Sequence, residues 1–159
     1  LGDDIMDERS TVLTDMIGVY EERECAVVAV HEVASSEISS YGSIDPEVLS
    51  ENLVRLRGIV EKPTAEDAPS NLAVMGRYVF TPEIFDVLDQ VKPGVGGEIQ
   101  LTDALLIGAN ARTVDGVVSD IERHDTGTPM GWLQTVIELT LKRPDVGTEL
   151  RNWLKGTLS

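Results

Sequence analysis

Apolar residues recur with two different periods along this chain, one helical and one extended. From Leu13 to Tyr20 they return every three or four positions, which is the spacing of one face of an α-helix. The run CAVVAVHEV that begins at Cys25 is almost continuously apolar and rich in β-branched residues, as buried strands are. The opening stretch LGDDIMDE indicates an earlier strand, so the order strand, helix, strand predicts a βαβ unit with a parallel sheet.

The rest of the chain continues this alternation of helical and extended patterns. Extended segments are predicted at residues 42–45, 53–60 and 72–80, and residues 92–97 read as a loop suited to a lid. Three helices are predicted to begin at Pro82, Asp103 and Pro129, the second with Thr102 as its N-cap, and a short helix closes the chain. Two helices are predicted to turn these residues inward: Ile84, Phe85, Leu88, Val91, Leu133, Val136, Ile137 and Leu141. The fold class is therefore α/β.

Charge and cysteine content exclude several kinds of partner. The chain has 13 basic and 28 acidic residues and a net charge of −15, which argues against binding to nucleic acid or to an anionic membrane. No apolar run reaches the roughly 18 residues of a membrane span. The single cysteine, Cys25, lies in an apolar run and is predicted to be a buried structural thiol. Because one cysteine cannot form an internal disulfide, the cysteine content favours a reducing, cytoplasmic location.

The acidic residues of LGDDIMDE form the first candidate site. Ligands of open α/β sheets collect beyond the carboxyl ends of strands, so Asp3 stands where a ligand is expected. Carboxylates this close repel one another unless a cation, water or a proton separates them. Magnesium commonly binds one or two carboxylates together with substrate phosphates. The alternative, a solvated acidic cluster that caps a helix, stays open at this point.

Two further motifs could carry chemistry. In RHDTGT, Asp125 stands beside a glycine turn and the start of a helix. There it could share a cation with another aspartate, or it could simply cap the helix. The neighbouring His124 is predicted to have a structural role. In the Glu61–Lys62–Pro63 motif the carboxylate suits sugar hydroxyls and the ammonium suits a phosphate, although a surface ion pair is the simpler explanation. Pattern alone indicates only an acidic α/β domain with possible metal and phosphate groups.

Taken in order, five motifs carry a more specific resemblance. LGDDIMDE, the Tyr41–Gly42 turn, EKPTAEDAPSNLAVMGRYVF, GGEIQLTDA and HDTGT resemble the bacterial UTP–glucose-1-phosphate uridylyltransferases (UDP-glucose pyrophosphorylases) over nearly the whole chain. The related glucose-1-phosphate thymidylyltransferases share the GD, YG, EKP and DTG elements but are less similar across APSNLAVMGRY. The resemblance implies a Rossmann-like mixed-sheet nucleotidyltransferase fold.

The resemblance also implies a role for particular residues. Asp3 and Asp125 match the magnesium-binding aspartates, and together with Lys62 they form the implied catalytic set. The implied substrate-binding set consists of Gly42 against the glucose, Glu61 on its hydroxyls, Lys62 on the sugar phosphate, and Val74 and Gly76 along the sugar pocket. Glu98, Thr102 and Asp103 would shape the pocket or hold the helix.

The implied reaction joins UTP and glucose 1-phosphate into UDP-glucose and pyrophosphate with Mg²⁺ as cofactor. Relatives carry a glycine-rich nucleotide loop upstream of these motifs, so residues 1–159 are expected to be the downstream part of a single catalytic domain, inactive alone and prone to form a homo-oligomer. Two alternatives remain: a thymidylyltransferase-like enzyme and a truncated, non-catalytic binding or assembly module.

Overall fold

The computed structural model describes residues 2–6, 10–93, 97–111 and 113–158, which group into two compact units. The terminal unit combines the described residues before Arg9 with those after Asp120, and the barrel unit lies between them in the chain. The central residues of the predicted lid, 94–96, and two acids of the opening motif, Asp7 and Glu8, lie outside the described residues.

Seven strands, five α-helices and one short 3₁₀ helix are formed by the described residues. In chain order they are β1 (Asp4–Met6), α1 (Val12–Arg23), β2 (Ala26–Glu32), the 3₁₀ helix (Ile38–Ser40), β3 (Gly42–Ser50), β4 (Leu53–Glu61), β5 (Leu72–Val79), α2 (Ile84–Leu88), α3 (Leu101–Asn110), β6 (Val114–Val118), β7 (Arg123–Asp125), α4 (Pro129–Lys142) and α5 (Gly147–Thr157). The predicted alternation of strands and helices is confirmed.

Five strands of the barrel unit form a closed sheet in the order β2-β5-β3-β4-β6. All neighbouring pairs are antiparallel except β2 with β6, so the sheet is mixed. The predicted opening βαβ unit is wrong, because β1 pairs antiparallel with β7 in the terminal unit and shares no sheet with β2. The apolar β2 instead finds β5 and β6, which cover its backbone groups on both edges.

A cluster of aliphatic side chains fills the barrel unit. Its members come from β2, β3, β4, β6 and α3: Val28, Val30, Ile44, Val54, Leu56, Ile59, Leu105, Ala109 and Val114. The β-branched residues that predicted buried strands therefore do form the core, where each fully buried aliphatic side chain contributes about 1.5–3 kcal/mol. This core supports the ends of β3 and β4, where Gly42 and Glu61 lie.

The two predicted helix faces are only partly confirmed. Val91 is buried and four other residues are partly buried, namely Ile84, Leu88, Ile137 and Leu141, while the remaining three are exposed. Helix α2 ends at Leu88, and Phe85, predicted to face inward, is 70% exposed because a five-residue helix is too short to bury a continuous stripe. In α4, Leu133 and Val136 are also exposed, and the buried residue is Thr135, whose hydroxyl donates to the carbonyl of Gly131. A threonine can be buried in a helix when its hydroxyl donates to a backbone carbonyl one turn earlier. The spacing of apolar residues does not predict such a buried polar residue. No helix in the described ranges is both long and apolar enough to cross a bilayer.

The barrel unit also buries a charged residue, Asp115, whose burial the sequence pattern did not predict. Asp115 in β6 is fully buried and accepts hydrogen bonds from Arg23 Nε at 2.5 Å, from Arg55 Nε at 2.7 Å and from Cys25 Sγ at 3.4 Å. Burial, followed by the charge of Asp115, raises the pKa of the Cys25 thiol to about 11. The thiol therefore stays protonated at neutral pH, and the prediction of a buried structural cysteine is confirmed.

Helix α4 begins where the sequence predicted. Pro129 occupies its first turn, and the N-cap Thr128 accepts a hydrogen bond from the Gly131 N–H at 3.0 Å. Gly131 packs so closely on the end of β7 that a Cβ there would overlap the carbonyl oxygen of Asp125. The helix start thus sets how α4 lies on the strand that carries Asp125.

Gly131→Ala is therefore expected to destabilise the terminal unit by about 3 kcal/mol, the upper range for overpacking a close contact. The clash is with backbone, which cannot rotate away as a side chain can. Chemical denaturation followed by the fluorescence of Trp132 and Trp153, both in the terminal unit, measures the loss. Gly156→Ala in α5 of the same unit, where nothing lies within 4 Å of the new Cβ, should instead stabilise the terminal unit slightly. Equal effects of the two variants would contradict the role of close packing.

Candidate active site

Asp3 and Asp125 come together in the terminal unit through the pairing of β1 with β7. Asp4 stands opposite Asp125 in the antiparallel register. Beyond that pair, the Thr126 backbone N–H and side-chain hydroxyl both donate to the Asp3 carbonyl, at 2.7 and 2.9 Å. Asp3 directly precedes β1, and the expectation that it follows an apolar strand stays a prediction. Its proximity to Asp125 depends on these hydrogen bonds.

The two carboxylates converge beside Gly127. The position that a Cβ would take at residue 127 lies 3.1 Å from Asp125 Oδ1 and 3.2 Å from Asp3 Oδ2. Asp125 Oδ1 also accepts a hydrogen bond from the Gly127 N–H at 2.8 Å, which orients it. Because Gly127 has no side chain, the space between the two exposed carboxylates is open. Two carboxylate oxygens around an open, solvent-reached space fit a hard divalent cation, which takes oxygen ligands at about 2.0–2.6 Å.

Asp4, the neighbour of Asp3, has a different environment. It is buried, and its Oδ1 accepts from Arg123 Nε at 3.3 Å. A buried carboxylate paired with an arginine is already compensated, whereas Asp3 is exposed. The structure therefore separates the two adjacent acids and leaves Asp3 as the candidate ligand.

A second cluster of titratable residues in the terminal unit joins β7 to α4. His124 is buried, with Nδ1 at 3.4 Å from Glu138 Oε2, and one ligand atom each of Glu122, His124 and Glu138 lies within 4.8 Å of the others. Lys142 Nζ lies 2.7 Å from Glu122 Oε2 and supplies a balancing charge. This arrangement ties α4 to β7, in agreement with the structural role predicted for His124.

Three residues that the resemblance predicts to bind the sugar phosphate, Gly42, Glu61 and Lys62, are neighbours in the barrel unit. Gly42 is paired with Glu61 across β3 and β4, and a Cβ on Gly42 would lie 3.2 Å from Glu61 Oε2. Lys62 adopts a left-handed conformation with φ of 46°, and its backbone N–H donates to the Tyr41 carbonyl at 3.0 Å. Both the Glu61 carboxylate and the Lys62 ammonium belong to exposed residues. The Tyr41–Gly42 turn and the EKP motif thus form one structural feature.

Val74 and Gly76 lie on the neighbouring strand β5. The pairing of Ser43 with Ala73 places Gly42 and Val74 next to a shared rung of the sheet. Val74 is partly buried against the aliphatic core, and Gly76, with φ of 62°, lies where the register between β2 and β5 shifts. A positive φ in mid-strand explains why glycine stands there.

Thr102 has a contact that the sequence did not predict. It is not the N-cap of α3, because the cap is Gln100 and the helix begins at Leu101. Its hydroxyl instead donates to Glu61 Oε2 at 2.5 Å. Burial, and then the charge of Glu61, raise the pKa of the Tyr78 phenol. Two elements besides its own strand thus place a residue beside the Glu61 side chain, β3 with Gly42 and α3 with Thr102.

Comparison with known proteins identifies the family. A family model described as nucleotidyl transferase matches residues 1–140. The chain belongs to the nucleotidyl transferase family. Among similar members, the UTP–glucose-1-phosphate uridylyltransferase of Staphylococcus epidermidis is 41% identical over 98% of this chain and 54% of its own length. The enzyme of that name from Pseudomonas aeruginosa is 44% identical over 80% of this chain and 46% of its own length. The chain therefore spans about half the length of these curated relatives.

Solved structures agree with the sequence comparison. A UDP-glucose pyrophosphorylase complexed with UDP-glucose superposes with a TM-score of 0.83 at 41% identity, covering 90% of this chain and 55% of that one. The UTP-bound enzyme of Acinetobacter baumannii gives a TM-score of 0.82 at 31% identity, over 97% of this chain and 54% of that one. A glucose-1-phosphate thymidylyltransferase of Bacillus anthracis, at 21% identity and a TM-score of 0.66, shares the fold. The resemblance to uridylyltransferases and the α/β mixed-sheet fold are thus confirmed.

Proposed function

We propose that this nucleotidyl transferase serves in the transfer of a uridylyl group from UTP to glucose 1-phosphate, which yields UDP-glucose and pyrophosphate. The relatives named for this reaction and the solved complexes with UTP and UDP-glucose support it. The observation that carries the proposal is the convergence of the exposed Asp3 and Asp125 carboxylates beside Gly127. We further propose that residues 1–159 are the downstream part of one catalytic domain, since the chain spans about half of its relatives.

Asp3 and Asp125 are proposed to hold Mg²⁺. Their carboxylates supply the hard oxygen ligands that this ion prefers, and the hydrogen bond from the Gly127 N–H keeps Asp125 Oδ1 in place. Bound magnesium would neutralise charge on the anionic phosphates as they approach each other. The hydrogen bonds that the Thr126 N–H and hydroxyl donate to the Asp3 carbonyl keep the two carboxylates together before any ion binds.

Glu61 and Lys62 are proposed to bind the sugar phosphate. The Glu61 carboxylate accepts from glucose hydroxyls, with the Gly42 backbone beside it and Val74 and Gly76 along the pocket, while the Lys62 ammonium holds the phosphate. A phosphate oxygen then bonds to the α-phosphorus of UTP, and the bond to the β-phosphate breaks to release pyrophosphate. That oxygen is already anionic at neutral pH, so positioning and charge stabilisation provide the catalysis and no general base is needed.

Other sequence predictions stay predictions. A homo-oligomer in the cytoplasm fits the single cysteine and the exposed apolar side chains of α4 and α5, which include Trp132 and Trp153. The net charge of −15 supports the exclusion of nucleic acid and anionic membranes as partners. Light scattering on the purified chain tests self-association.

Turnover tests the proposed function. We define the completed enzyme as this chain preceded by the upstream half of the Staphylococcus epidermidis relative. Pyrophosphate release from UTP and glucose 1-phosphate supports the proposal, and a preference for dTTP would favour the thymidylyltransferase alternative. A folded completed enzyme without turnover, checked by circular dichroism, would overturn the proposal in favour of a binding or assembly module.

Lys62→Ala in the completed enzyme is expected to raise the KM for glucose 1-phosphate about 10- to 100-fold, the range for losing a hydrogen bond to a charged group. The KM for UTP should change little, since Lys62 is assigned to the sugar phosphate. Steady-state kinetics with each substrate varied in turn measure this difference. Lys155→Ala, which removes an exposed lysine of α5, is the control and should leave both KM values unchanged. A similar rise in both KM values for Lys62→Ala would contradict the assignment.

A further inference from the structure

The Glu61 carboxylate is held in place although the residue is exposed. Its Oε2 lies beside Gly42 on one side and accepts the Thr102 hydroxyl on another. The 2.5 Å bond is in the range of strong hydrogen bonds to a carboxylate. An exposed glutamate outside a binding site usually samples several rotamers, so this restraint needs an explanation.

The Thr102 hydroxyl is not required for the start of its own helix. Gln100 is the N-cap of α3, and Thr102 is the second residue of a ten-residue helix. The first turn of a helix carries partial positive charge, so it also favours a carboxylate nearby. Helix α3 is anchored in the barrel core by Leu105 and Ala109. Thr102 therefore connects Glu61 to a rigid element rather than to a loop.

The hydrogen bond from Thr102 gives the two carboxylate oxygens of Glu61 different partners. A carboxylate has about four acceptor sites, so Oε2 can accept from Thr102 while Oε1 accepts from a ligand hydroxyl. Fixing the side chain before binding removes the entropic cost of ordering it when the ligand binds. Glycine at position 42 also leaves room for the Glu61 carboxylate in this position, because any Cβ at residue 42 would crowd Glu61 Oε2.

We propose that Thr102 is a positioning residue that presents the Glu61 carboxylate to the hydroxyls of the sugar. This inference rests on the proposed function, in which Glu61 binds the hexose. Thr102 acts through Glu61 and touches no reacting atom. Its effect is therefore specific to the sugar phosphate and disappears when the Glu61 carboxylate is removed.

Two substitutions of Thr102 in the completed enzyme test this inference. Thr102→Val keeps the shape and removes the donor, and is expected to raise the KM for glucose 1-phosphate about 10-fold with less than twofold change in the KM for UTP. Thr102→Ser retains the hydroxyl and is expected to stay within about threefold of the parent. Thr14→Val, at an exposed threonine of α1 in the same unit, is the matched control and should change neither value.

A double-mutant cycle separates positioning from general stability. Added to Glu61→Ala, the change Thr102→Val should have no further effect on the KM for glucose 1-phosphate, because the carboxylate that accepts the Thr102 hydrogen bond is gone. Additive effects, or an equal rise in both KM values, would overturn the positioning role while leaving the proposed function intact. A parent enzyme that folds without turnover would overturn the proposed function and this inference with it.

Discussion

Asp125→Asn in the completed enzyme is expected to lower kcat at least about 100-fold at a fixed magnesium concentration, because a metal ion supplies several kcal/mol of charge stabilisation and 1.36 kcal/mol corresponds to tenfold in rate. Asparagine is isosteric and its amide oxygen can still accept from the Gly127 N–H, so the turn should survive. What the substitution removes is one of two negative charges beside Gly127. Raising the magnesium concentration should recover part of the lost activity.

Metal binding by the 159-residue chain gives a second readout for the same substitution. Titration with Mn²⁺, followed by electron paramagnetic resonance, should show weaker binding by the Asp125→Asn variant than by the parent. Glu149→Gln removes an exposed carboxylate of α5 in the same unit and is the control for net charge. Normal magnesium dependence of the Asp125→Asn enzyme would remove this residue from the proposed metal site.

Asp115→Asn is expected to lower the free energy of unfolding of the barrel unit by about 3–5 kcal/mol, the cost of breaking a buried ion pair by removing one partner. Asparagine fits the same space but leaves the guanidinium groups of Arg23 and Arg55 without their counter-charge. These arginines are themselves largely covered, with 30% and 20% of their side chains exposed, so water compensates only in part. Urea denaturation followed by circular dichroism measures the change.

Asp145→Asn provides the matched control for Asp115→Asn. Asp145 also pairs with an arginine, Arg143, but more than half of each side chain is exposed. Exposed ion pairs contribute about 0–1 kcal/mol, so this control should be nearly neutral. Equal destabilisation by both substitutions would contradict the importance of burial at Asp115.

The pH dependence of stability offers an independent check on Asp115. Burial alone would raise the pKa of this carboxyl, but the hydrogen bonds from Arg55 and Arg23 outweigh it and hold the pKa below its usual value. A group whose pKa is lower in the folded state stabilises the fold above its unfolded pKa of about 4 and loses that contribution as the pH falls through the folded pKa. Below pH 4 the stabilities of the parent and the Asp115→Asn variant should therefore converge.

Long apolar segments were predictable from the sequence because their patterns are local. The β-branched runs identify β2, β4 and β5 to within two residues, and Thr128 with Pro129 marks the start of α4. The family motifs likewise identified Asp3, Asp125, Gly42 and Glu61 in advance, and the structure brings the first two together in the terminal unit and the last two in the barrel unit. Their roles in binding remain proposals.

The arrangement of polar partners was not predictable, because each pair is distant in sequence. Thr102 and Glu61 are 41 residues apart, and Asp115 is 92 residues from Arg23 and 60 from Arg55. Thr102 looked like an N-cap because its residue type suits one, yet the N-cap of the folded α3 lies two residues earlier, at Gln100. In the sequence, nothing distinguishes Asp115 from the rest of the 28 acidic residues, so its burial was not predictable.

The sequence alone determined the kinds of elements, most of the buried strands and the family, since these depend on residue types and local order. Only the tertiary structure decided that β1 pairs with β7 rather than with β2, that Asp4 is buried while Asp3 is exposed, and that α3 holds Glu61. The physical reason is that local patterns select helix or strand, whereas the packing of distant segments decides which polar groups are desolvated and must find partners.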